Sequence, residues 1–123
     1  MTDQILQRRI RVLIFPTEDR TFFTMPLGIS ACNSEPTIPK AVEEITQLIN
    51  GHIMSCLGHN IPPNKIFGTA EPKFNEMYEQ GRPYDYRASL LPDVRRLVSG
   101  IDYRLSNQVI DNDAFARYLK GEM

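Results

Sequence analysis

Cysteine is scarce in this 123-residue chain: only Cys32 and Cys56 occur. One bridge at most is a poor match to the cysteine-dense frameworks of small secreted domains, so free thiols in a reducing cytoplasm are the expectation. No apolar run approaches the ~18 residues a spanning helix needs, and the start Met1-Thr2-Asp3-Gln4 has no signal-peptide character, so no membrane association is expected. Charge of one sign is lacking too, at a net −1. That excludes a global field drawing in nucleic acid or anionic lipid, and leaves only local patches to do so. Residues 1–32 and 81–123 are mildly basic and residues 33–80 acidic.

Catalytic motifs are missing as well. There is no Walker glycine-lysine loop, no glycine-rich dinucleotide turn and no nucleophile elbow, so the chain is not expected to be an enzyme and no cofactor is assigned. His52 and Cys56 lie four apart on one helical face, which is half of a metal site, and a structural role near the core edge is the plainer account. Asp111-Asn112-Asp113 begins like a calcium loop, but Ala116 stands where that loop needs glycine, so capping of a helix by Asp111 explains it better. Glu43, Glu44, Glu76 and Glu79 fall on polar helix faces, where solvation is the default.

What is present is a folding pattern. Apolar residues make up 41% of the chain, enough to offset the entropy of ordering a single core of this length. Arg9 to Phe15 alternates and then runs apolar and β-branched, as a strand with one well-buried face does. After the polar turn Thr17-Glu18-Asp19-Arg20, Thr21 to Met25 reads as its hairpin partner, and Leu27 to Cys32 as a third strand beyond a break at Pro26. From Ile38 to Leu57 apolar residues recur every three or four, which predicts a long amphipathic helix capped by Thr37 and closed at Gly58. Glu71 to Gln80 predicts a short helix stopped by Gly81. Beyond it, Leu90 to Val98 reads as helix, Ile101 to Val109 partly as strand, and Asp111 as the cap of a final helix bearing Phe115, Tyr118 and Leu119. Tyr84, Tyr86, Tyr103, Phe115 and Tyr118 serve either the core or an aromatic binding surface, and the core is the expectation. The predicted class is α+β: a three-stranded antiparallel meander on one long helix over 1–80, with 81–123 as an extension packed on the same core.

The candidate contact residues are basic. Arg8, Arg9 and Arg11, and separately Arg95 and Arg96, are the residues that could touch phosphates, and a charged outer strand face is the plainer account of Arg9 and Arg11.

The order of strand, acidic turn, strand, Leu27-Gly28-Ile29, a third short run, Thr37 and an Ala41-bearing helix is similar to the N-terminal domain of HicB-like antitoxins over residues 10–58. His52 to Leu57, Pro63, Phe67, Glu71-Pro72, Phe74 and Glu76 resemble a subgroup in which that helix leads into a proline-containing aromatic segment, extending the likeness to about residue 80. The resemblance implies a sheet-and-helix domain, related to a reduced RNase H fold, that docks and occludes a HicA-like RNA-cleaving toxin; the expectation is that the chain also self-associates into a homo-oligomer, with the exposed edge strand and the outer helix face as docking surfaces. Past Gly81 there is no recognisable DNA-binding segment of the kind many such antitoxins carry. A nucleic-acid-binding regulator and a stand-alone self-assembling protein are the other readings.

Overall fold

The computed structural model describes residues 7–108. Arg8–Pro16 (β1) and Phe22–Pro26 (β2) form an antiparallel hairpin, closed by Thr17 N–H donating to the Thr21 carbonyl at 3.0 Å. Asn33–Glu35 (β3) adds outside β2. Ile38–Gly58 (α1), Pro63–Ile66 (α2) and Pro72–Gln80 (α3) follow, then Arg82–Tyr84 (β4), a single 3-10 turn at Val94–Arg96, and Val98–Leu105 (β5). The sheet order is β3-β2-β1-β5-β4, with β1 and β5 parallel and the other pairs antiparallel. The fold is α+β, but the sheet has five strands and is mixed, where the sequence predicted three antiparallel ones.

Alternation along β1 divides the interior in two. Ile10, Val12 and Ile14 face α1, where Val42, Ile45, Ile49 and Ile53 bury their stripe. Leu13 and Phe15 face the other way and meet Phe23, Met25, Phe74, Met77 and Tyr78, so α3 covers the opposite face. β1 is therefore apolar on both sides, which is why its sequence turns from alternating to continuous. Ile45, Ile49 and Ile53 are fully buried, each worth about 1.5–3 kcal/mol in removal from water. Thr37 caps α1 as the sequence predicts, its Oγ1 accepting from Lys40 N–H at 3.3 Å.

Four predictions need correction. Leu27 to Cys32 is not a strand: Pro26 ends the ladder and Gly28 takes φ +94°, with its carbonyl accepting from Gly68 N–H at 2.7 Å. The third strand comes later, at Asn33–Glu35. Gly58 does not supply the left-handed residue after α1; Asn60 does, at φ 57°. Leu90 to Val98 yields only the 3-10 turn, and the last described strand starts at Val98 rather than Ile101, because pairing with β1 decides its bounds. The predicted final helix at Asp111 lies outside the described residues.

Residues 85–91 form an extended strap between β4 and the 3-10 turn. Tyr86, Ala88 and Leu90 pack on the α1 side of the core while Asp85, Arg87 and Ser89 are exposed. Buried Asn50 of α1 holds the strap: its Nδ2 donates to the Ser89 carbonyl at 2.9 Å and its Oδ1 accepts from Leu91 N–H at 3.0 Å. Below it, Tyr103 OH lies 2.5 Å from Thr46 Oγ1, and burial pushes the Tyr103 phenol up to about 12.

Candidate functional site

Arg9 and Arg11 leave β1 on the α3 side, and Arg11 lies against α3 itself. Arg9 makes a two-pronged contact with Asp102 of β5, Nε to Oδ2 at 2.8 Å and Nη2 to Oδ1 at 2.7 Å. The hydrogen bond and the charge hold the Asp102 carboxyl below its usual range and raise Arg9 further. Arg11 donates to Asn75 Oδ1 at 3.1 Å, stands 3.6 Å from Glu79 and lies over the Tyr78 ring. Arg104, from β5, covers the same ring and donates to the carbonyls of Tyr78 and Glu79, where the end of α3 concentrates negative partial charge. Burial, the leading cause, moves the Tyr78 phenol upward.

Arg8 takes a different route, its guanidinium stacking 4.5 Å over Phe67. The start of β1 is tied to the 3-10 turn through Arg8 N–H to the Leu97 carbonyl and Gln7 Nε2 to the Arg95 carbonyl. That junction brings the two arginine groups of the sequence to one end of the sheet. Arg8, Arg9 and Arg11 line a cleft of about 390 Å³, and Arg9 and Arg95 line another of about 670 Å³. Arg96 is exposed but lines neither.

Sequence reasoning missed Arg87, which joins Arg9 and Arg95 on the larger cleft, and Asp102, which neutralises Arg9. The alternation Tyr84, Tyr86, Ala88, Leu90 was the available signal for Arg87, since it puts 85, 87 and 89 outward. The Arg9 to Asp102 pairing spans 93 residues and leaves no local trace.

His52 and Cys56 do meet, with Nε2 and Sγ 3.7 Å apart, on the wall of a cleft of about 900 Å³. The Leu27–Cys32 loop forms another wall, and exposed Cys32 is on it. Among the described residues no three His, Cys, Asp or Glu side chains gather as metal ligands. His59 closes α1, its Nδ1 lying 2.8 Å from the Ser55 carbonyl. Of the helix carboxylates, Glu44 pairs with Lys40 at 3.0 Å and Glu79 with Arg11. No described helix is long and apolar enough to cross a membrane.

No family model matches the chain, and neither a curated protein nor a solved structure matches it.

Proposed function

We propose that the chain is a HicB-like domain that docks a protein partner, with a HicA-like ribonuclease as the class of partner and with self-association as part of its behaviour. The observation carrying this reading is how the resembling residues work together. Thr37 caps α1, and Ala41 is fully buried against the hairpin sheet, its carbonyl accepting from Asn33 Nδ2 at 3.4 Å. Asn33 also bonds the buried Thr24 hydroxyl, so β2, β3 and α1 are joined at one residue. The outer face of α1 offers Leu48, 43% exposed, near Glu43 and near Glu44, which is shared with Lys40, and this suits a small basic protein. The test is capture of a small basic ribonuclease by tagged protein after nuclease treatment, with inhibition of its RNA cleavage and loss of both in Leu48→Asp. Retention of nucleic acid alone, or capture unchanged by Leu48→Asp, counts against this docking.

A second reading, a nucleic-acid-binding regulator, draws on the gathering of Arg8, Arg9, Arg11 and Arg95 at one end of the sheet. Retention that falls steeply with added salt favours it. The pairing of Arg9 with Asp102 and of Arg11 with Glu79 reduces what these residues can offer to phosphates.

A further inference from the structure

β5 runs from Val98 to Leu105, yet β4 pairs with it only over Tyr103–Leu105. Among the described residues, the outer edge from Val98 to Asp102 therefore meets no strand. The chain that could have extended the ladder is the strap, and it is drawn away. Tyr86 packs its ring edge-on to Tyr103 at 5.3 Å, and Asn50 grips Ser89 and Leu91. The cleft of about 670 Å³ lies between this strap and Ser99, Gly100 and Ile101 of β5.

Two properties define what fits there. An open strand edge presents alternating backbone donors and acceptors, which another extended backbone satisfies in full. The cleft walls are also basic: Arg9, Arg87 and Arg95 line it against the single carboxylate of Asp85. Arg9 is shared with Asp102, but among the described residues no carboxylate pairs with Arg87 or Arg95. Gly100 leaves room for the Arg9 guanidinium to lie against β5, since a Cβ there would stand 2.9 Å from Arg9 Nη1. The unpaired edge covers Val98 to Asp102, which at ~3.4 Å per residue accommodates about five residues of added strand.

We propose that this cleft takes an extended acidic peptide segment of a protein partner, added as a strand on β5 with its carboxylates on Arg87 and Arg95. A phosphate chain would use the guanidiniums but not the backbone acceptors of the edge, so the peptide is the better fit. This goes beyond the docking of a basic ribonuclease, which such a cleft would repel, and it stands or falls separately.

The test is fluorescence anisotropy of the full chain with a labelled octapeptide of alternating Glu and Val. The controls are the Lys-Val counterpart, a Glu-Val peptide N-methylated at alternate residues, and a short oligothymidylate. The Glu-Val peptide should bind and slow amide exchange at Ser99 to Ile101. Binding should fall by roughly tenfold or more in Arg87→Glu/Arg95→Glu and on N-methylation. No binding of the Glu-Val peptide, equal binding after N-methylation, or preference for the oligothymidylate would overturn the proposal. If the double variant loses its native circular dichroism, the N-methylated peptide and amide exchange on the unaltered protein still decide.

Discussion

Arg9 and Asp102 meet in good geometry, yet their side chains remain 55% and 44% exposed, so solvent screens the pair. Asp102→Asn should cost under about 1 kcal/mol at neutral pH, read from urea midpoints. Because the folded carboxyl is held below its ordinary value of 3.8, the unfolded chain takes up the proton first as pH falls. The contribution is full above that value and disappears as pH drops through the folded one, so wild type and variant should converge in acid. A gap that persists unchanged at low pH would show that packing, not charge, separates them. Tyr103→Phe removes a buried hydroxyl contact, but Thr46 Oγ1 keeps its bond to the Val42 carbonyl at 2.7 Å, so the loss should be about 1 kcal/mol. Gly28→Ala is more severe: its Cβ would stand 2.5 Å from the Gly68 carbonyl oxygen at a backbone φ of +94°. The left-handed penalty alone is about 1–2 kcal/mol, and the clash with backbone adds to it, so thermal unfolding should fall by several degrees.

Among the elements, the strap has its side-chain polar clamp in one residue, Asn50. Asn50→Ala leaves the Ser89 carbonyl and the Leu91 N–H without that partner and should cost about 1–3 kcal/mol. Amide exchange should speed up across 85–91 well before it does in β1, and uniform acceleration through the whole chain would contradict a local clamp. The elements also show what local sequence carries. The stripe from Ile38 to Cys56 and the cap Thr37 are written within a few residues of each other, so α1 is legible. β4 is not: three residues with Pro83 at their centre have no strand pattern of their own, and they form a ladder only because β5 lies alongside. Leu27 to Cys32 has the composition of a strand, but the contact of Gly28 with Gly68 across the fold overrides it. Arg9 and Arg95 of the cleft could be found as members of local clusters, whereas Arg87 stands alone in the sequence. Their paired or unpaired state could not, since Asp102 reaches Arg9 only through strand pairing.

For the molecule as a whole, one strand serves two cores. Ile49 projects from α1 and Phe74 from α3, onto opposite sides of β1. Ile49→Ala and Phe74→Ala should each cost about 2–5 kcal/mol. Each should also lower a single transition seen alike by far-ultraviolet circular dichroism and tyrosine fluorescence. Two separated transitions in either variant would mean that the layers unfold independently. The same arrangement sets an order for synthesis. β1 is the first described strand to leave the ribosome, and the partner for its inner edge, β5, is the last. At roughly 5–20 residues per second, the interval between them is on the order of 5–20 seconds. Through that time the most apolar strand of the sheet has one bare edge, so nascent chains, more than finished protein, are the population exposed to mispairing and to chaperone capture.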